Sequence, residues 1–405
     1  EGNQGDDILL GGQSGDVIAG NEGNNIIFGD HGYIDYVVAD GDRSDIDTIV
    51  STSTTAFGGA DQITAGIGQD IIIGGRLDDT INAGDGANLV IGDSGRIVAA
   101  ASGAPQLAGL PITLGTVETT EVADGGNDSI VTGSGKDIVL GGAQTDDIRT
   151  GAGNDIAHGD NAQLVWTADN DASTLDTLTT TANAIGGADT LRGEADDDVL
   201  IGGAFGDRID GGDGRDLIFG DNVRLDRTNS DGMANARYRT LTGAEGGQIY
   251  STIPGTAGTV LVNSASSAIS GGAPAWEDFD IVFLDHDLAT ETSAGNNFGN
   301  DYIAGGAGDD AIFGELGNDI IQGDGSIDLP VGAARLGDGT LSVQPSAEAV
   351  GDGNDYIEGN GGSDVIFGNL GQDDIIGGSS NLFSLVARPQ RPDGSDLIFG
   401  GAGRD

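Results

Sequence analysis

The chain has 405 residues, no cysteine and 75 glycines, and 66 acidic residues against 16 basic ones give a formal charge of −50. That balance excludes a nucleic-acid partner, whose phosphates it would repel, and no apolar run reaches the roughly 18 residues of a membrane helix. So much glycine, with only 5% aromatic residues, predicts a fold of tight turns in place of an ordinary core.

Residues 1–32 set the pattern. Asp7, Asp16 and Asn25 stand nine apart, and Leu9, Ile18 and Ile27 follow each of them by two. An insertion at 33–57 interrupts, with 33–38 and 48–50 reading as strands. The pattern resumes over 58–95 with Asp61, Asp70, Asp79 and Asn88, followed at the same offset by Ile63, Ile72, Ile81 and Val90. A second insertion, 96–124, has strand-like stretches at 96–98 and 113–117. Block 125–162 carries Asp128, Asp137, Asp146 and Asp155. After an insertion at 163–185, strand-like at 163–166, block 186–222 carries Asp189, Asp198, Asp207 and Asp216.

The longest insertion, 223–297, has the length of a small subdomain. It holds Arg224, Arg227, Arg237 and Arg239, a quarter of the basic residues. These are expected to pair with nearby acidic turns; contact with another subunit or an acidic glycan is the alternative. Block 298–325 then has Asp301, Asp310 and Asp319. It is followed by insertion 326–350, strand-like at 326–329, and by block 351–380 with Asp355, Asp364 and Asp373. Insertion 381–392 and a last stretch, 393–405 with Asp396 and Asp405, complete the chain. Five blocks close on a Gly-Asp pair, at Asp30, Asp93, Asp160, Asp221 and Asp324.

The nonamer reads G-G-x-G-x-D-x-U-x, with U a large aliphatic residue, and each half has a physical task. Glycine reaches positive φ without steric cost, so the first half turns. The second half is a short strand in which Asp and U point to one face and the residue between them to the other. Two nonamers make a coil of 18 residues. Stacked coils lie ~4.8 Å apart and pair as parallel strands. The predicted fold is therefore all-β: a right-handed parallel β-roll, a solenoid with β-rich insertions between blocks of coils. Of the acidic residues, 55 are Asp and 11 Glu. Asp keeps its carboxylate near the backbone, which suits a turn where carboxylate and carbonyl oxygens converge on a hard cation such as Ca²⁺.

With some twenty nonamers in phase, the chain resembles the RTX, or haemolysin-type calcium-binding, proteins over roughly half its residues. The resemblance implies that each Asp binds Ca²⁺ with turn carbonyls of two coils. It pairs residues 18 apart, such as Asp61 with Asp79 and Asp301 with Asp319. It also implies a chain that leaves a bacterial cell unfolded and folds in calcium-rich surroundings. Asn25 and Asn88 depart from the motif; each keeps an oxygen ligand but loses a charge, so weaker sites are expected there.

Other chemistry finds less support. Gly92-Asp93-Ser94-Gly95 and Gly133-Ser134-Gly135-Lys136 imitate a protease segment and a phosphate loop, but both fall within the repeat. His31, His158 and His286 read as solvated or block-end residues, with a metal or acid–base role for His286 as the alternative. Trp166 and Trp276 read as packing anchors.

Three functions compete: an extracellular structural or adhesive protein, the repeat tail of a secreted enzyme, and the repeat region of a pore-forming toxin. The first is favoured, because repeats fill the chain and its one lysine, Lys136, sits inside a repeat. Self-association into a fibre or layer is the expected partnership, through insertions or roll ends. A cell-surface glycan is a further candidate. The chain begins within a nonamer and stops mid-repeat, so a piece of a longer chain, or a rod stacking on copies of itself, is expected.

Overall fold

A computed structural model describes residues 1–39, 41, 43–53, 57–101, 103, 106, 109–228, 274, 276, 278–293 and 297–403. Arg237, Arg239 and Asp405 lie outside these, as does most of the insertion 223–297.

Successive nonamers feed two parallel sheets in alternation. One has twelve strands, from Asn3–Gln4 and Val17–Glu22 through Gln62–Ile67 to Leu397–Phe399; the other has eleven, from Ile8–Leu10 and Ile26–Phe28 to Asp374–Ile376. The aliphatic U residues form the interior between them. Ile63, Ile81, Ile130 and Ile148 line up on the first sheet, facing Ile72, Val90, Val139 and Ala157 on the second, all buried. Each fully buried aliphatic side chain contributes ~1.5–3 kcal/mol.

The residues flanking U distinguish the two sheets. From Gln62–Ile67 to Arg208–Asp213 of the twelve-stranded sheet they are mostly small or polar and face water or are half-buried, as in Thr80–Asp85, whereas its later strands carry apolar flanks, as in Val365–Phe367. In the eleven-stranded sheet they are apolar and buried, as in Ile71–Ile73, Leu89–Ile91 and Leu217–Phe219. A sheet apolar on both faces needs cover on both, and the insertions supply it.

They do so as a single layer. Gly32–Asp35, Thr48–Ser51, Gly95–Ala99, Leu114–Thr119, Ala162–Val165, Thr177–Thr180, Val223–Asp226 and Asp280–Phe283 assemble into one eight-stranded antiparallel sheet. A single register row crosses it, through Ile34, Ile49, Ile97, Val117, Leu164, Leu178, Leu225 and Ile281. That row packs with the flanking residues of the eleven-stranded sheet in one apolar cluster. The molecule is thus three-layered: a roll of two sheets and a cover on one face. Each hairpin alone has one apolar face and two open edges, and joining its neighbours satisfies both.

The insertion at 326–350 behaves differently. Residues 326–329, expected to be extended, form a turn, because Asp210 Oδ2 accepts from Ser326 Oγ at 2.7 Å and from the Ile327 N–H at 3.1 Å. Gly332–Arg335 and Leu341–Gln344 then pair as a separate hairpin that joins neither roll nor cover.

Candidate calcium centre

The turn that precedes each strand delivers its Asp to a corner of the roll, and the corners stack. Asp16, Asp61, Asp79, Asp128, Asp146, Asp189, Asp207, Asp301, Asp319, Asp364 and Asp396 form one column. In it each main-chain N–H donates to the Oδ1 of the next residue at 2.7–3.1 Å. Asp7, Asn25, Asp70, Asn88, Asp137, Asp155, Asp198, Asp216, Asp310, Asp355 and Asp373 form the other by the same bond. The pairs 18 apart are neighbours as expected. The columns also run on across the insertions, joining Asp79 to Asp128 and Asp319 to Asp364, which a spacing of 18 does not reveal.

That bond uses one carboxylate oxygen. At every Asp of the two columns from Asp61 to Asp364 the second oxygen, Oδ2, is buried and has no hydrogen-bond partner. It points into a recess left by a missing side chain. A Cβ added at Gly314 would lie 2.6 Å from Asp319 Oδ2 and 2.8 Å from the carbonyl oxygen of Gly359 on the next coil. The same convergence of an Asp Oδ2 and a next-coil carbonyl surrounds Gly29, Gly92, Gly141, Gly202 and Gly211. Glycine is required there because any side chain would fill the recess.

Burial without a counter-charge drives these carboxyls toward their neutral form. Desolvation, reinforced by the Asp128 charge, pushes Asp79 up to about 10. Desolvation alone dominates at Asp155, raised to about 8, and at Asp70, raised to about 6. Orphaned carboxylate oxygens beside carbonyl oxygens, with no nitrogen or sulfur donor, are the donor set of a hard divalent cation. Among the described residues no three acidic or imidazole side chains converge on one point. A cation here therefore draws on main-chain carbonyls as well as carboxylates. The nonamer aspartates and the carbonyls around each glycine recess are the residues that fit Ca²⁺.

The two asparagines are bonded differently from the aspartates. The oxygen of Asn88 is taken by the Asp70 N–H at 3.0 Å, and its Nδ2 donates to the carbonyls of Gly86 and Gly84 at 2.9 and 3.2 Å. Asn25 likewise accepts from Asp7 and donates to Gly23 at 3.0 Å. The amide N–H thus gives the turn carbonyls a positively polarised partner within the chain.

The closing Gly-Asp residues also have a role that sequence spacing did not supply. Asp30 accepts from the N–H of Gly59, where the chain returns from the insertion, and of Arg76 on the following coil, at 2.8 and 2.7 Å. Asp93 ties Gly126 and Ala143 in the same manner, and Asp160 ties Gly187 and Ala204. With both oxygens used, these carboxylates staple the insertion shut.

Among the described residues, the remaining candidates are mostly buried or paired. His286 is buried against Phe283, not solvated, with Nε2 3.2 Å from Ser379 Oγ, and burial holds its pKa down to about 4. His158 is buried with Nε2 2.9 Å from Thr180 Oγ1. Trp166 and Trp276 are buried under the cover, and Trp276 Nε1 donates to the Arg215 carbonyl at 2.8 Å. Arg224 pairs with Asp226, and Arg227 donates from Nε to Asp278 at 2.7 Å.

A parallel roll whose two corners carry columns of aspartate, interrupted only by Asn25 and Asn88 and poised over glycine recesses, defines the calcium-binding solenoids. The family model for the RTX calcium-binding nonapeptide repeat matches residues 1–33, 58–96, 122–157, 186–222, 295–329, 350–381 and 393–405, more than half of the chain. The chain belongs to that family. Among curated proteins none matches it.

Proposed function

We propose that this chain is a calcium-dependent extracellular structural or adhesive element of a bacterial surface layer, fibre or biofilm matrix, which folds as Ca²⁺ binds between its coils. The observation that carries the reading is the pair of columns in which every aspartate from Asp61 to Asp364 has one oxygen stranded. Two unit charges ~5 Å apart repel by ~3 kcal/mol at an effective dielectric near 20, and the columns repeat that contact at rung after rung. Ordering so glycine-rich a backbone costs ~1–2 kcal/mol per residue besides. Ions at the recesses offset both, so binding free energy becomes folding free energy. Such a chain leaves the cell unfolded and folds where Ca²⁺ is abundant.

A structural or adhesive role is supported by the cover sheet, which makes most of the insertions part of one layered body. It is supported also by the hairpin that stands apart, whose exposed Leu336, Leu341 and Val343 offer a contact surface. Self-association through insertions or roll ends, or contact with a cell-surface glycan, is the partnership we propose.

Circular dichroism and electron microscopy test this on one sample. Strand signal that appears only on adding millimolar Ca²⁺, with fibres or sheets in the loaded protein, is the expected result. Equal strand content in EGTA would sink the folding switch. Dispersed single particles would favour the repeat region of a larger secreted enzyme or toxin.

A further inference from the structure

Among the carboxylates that close the roll blocks, Asp30, Asp93 and Asp160 have both oxygens satisfied by main-chain N–H groups. Asp221 occupies the equivalent place, and its Oδ2 accepts from the Leu316 N–H at 2.8 Å, just as Arg76, Ala143 and Ala204 donate in the earlier blocks. Its Oδ1 is buried and has no partner.

The neighbouring residue differs as well. Glycine precedes the donor in the earlier blocks, and the missing Cβ of Gly75 would lie 2.6 Å from Asp30 Oδ2. The residue preceding Leu316 is Glu315. It adopts φ +69°, a conformation that favours glycine. It is only 1% exposed, and both its carboxylate oxygens are buried without a partner. Glu315 and the column residues Asp301 and Asp319 are acidic groups whose charge acts on Asp221. Among the described residues no Lys, Arg or His forms an ion pair with Asp221 or Glu315. A bulky acid has thus been placed where the equivalent turns have glycine, beside a carboxylate that is already stranded. Such a group persists when a positive ion neutralises it.

We propose that Asp221 and Glu315 hold an additional divalent cation, Ca²⁺, at the seam where the longest insertion leaves the roll, apart from the ions of the nonamer recesses. Two carboxylates leave the rest of a six- to eight-oxygen shell to carbonyls and water. The ion takes over the task that the returning Gly59, Gly126 and Gly187 N–H groups perform for Asp30, Asp93 and Asp160, and clamps the coils on either side of the insertion. The choice of ion rests on the calcium reading of the repeats; the place rests on the stranded oxygens alone.

The test counts calcium in the loaded, desalted protein by mass spectrometry, in wild type and in Glu315→Gly, the residue of the equivalent turns, and Asp221→Asn. Each variant is expected to keep its strand signal in Ca²⁺ and to lose one bound ion per chain. In wild-type crystals an anomalous peak is expected between Asp221 and Glu315. A folded Glu315→Gly protein with an unchanged count overturns the inference. If the variants do not fold, a wild-type map with peaks along the columns and none at this seam overturns it equally. A wild type that binds no Ca²⁺ at all overturns the reading of the columns as well.

Discussion

The main-chain N–H of Asp207 donates to Oδ1 of Asp301 at 2.8 Å although 94 residues separate the two. The coils on either side of the longest insertion are therefore stacked rungs like any others, and the aspartate column passes the insertion as if it were absent. Asp301→Ala removes the acceptor and one cation ligand together. A buried unsatisfied N–H alone costs ~1–3 kcal/mol. The Ca²⁺ midpoint for folding, followed by circular dichroism, is expected to rise several-fold, and an unchanged midpoint would show that this rung does not couple the two blocks.

Asn88→Asp is expected to have opposite effects in the two conditions. With Ca²⁺ present, it replaces an amide that satisfies the Gly84 and Gly86 carbonyls by a carboxylate that needs an ion to do so. Isothermal titration should then count one more Ca²⁺ than in wild type. In chelator the variant should hold less residual structure. The same count in both proteins would mean that the amide does not stand in for a cation.

Without calcium, protons are the available counter-charge. Asp79, Asp155 and Asp70 have folded values of about 10, 8 and 6 against 3.8 when unperturbed. Groups raised on folding contribute stability that is present below the unfolded value and lost as pH rises through the folded one. Calcium-depleted protein is therefore expected to gain strand signal as pH falls from about 8 to about 5. His158, held down to about 3 by burial, opposes this below its ordinary value of 6.5, since the unfolded chain then takes up a proton that the folded one refuses. Strand content that falls steadily over that interval would contradict the assignment.

The cover sheet makes a separate prediction about packing. Leu164 lies on the inner row and Arg96 on the outer face. Leu164→Ala is expected to destabilise the calcium-loaded protein by ~2–5 kcal/mol, whereas Arg96→Ala, which loses an ion pair with Glu118 on the sheet surface, should cost less than ~1 kcal/mol. Thermal denaturation in Ca²⁺ measures both, and equal losses would show that the layer is not packed as described.

The amino-acid sequence by itself determined the roll. A period of nine fixes the strand and the turn, because side-chain alternation along a strand and the φ of glycine are local properties. The aspartates of the two columns were legible for the same reason. A signal for the cover was also present, in the contrast between Asp61-Gln62-Ile63-Thr64 and Asp70-Ile71-Ile72-Ile73: polar flanks mark the open sheet and apolar flanks the covered one. Only the tertiary structure decided that the hairpins join into one sheet, since pairing between strands tens of residues apart depends on where the roll delivers them. It alone decided that Asn25 and Asn88 turn an amide and not an oxygen toward the carbonyls, because the ladder N–H claims the oxygen first. And it alone stranded Asp221 near Glu315, bringing together residues 94 apart in sequence, which no repeat length encodes.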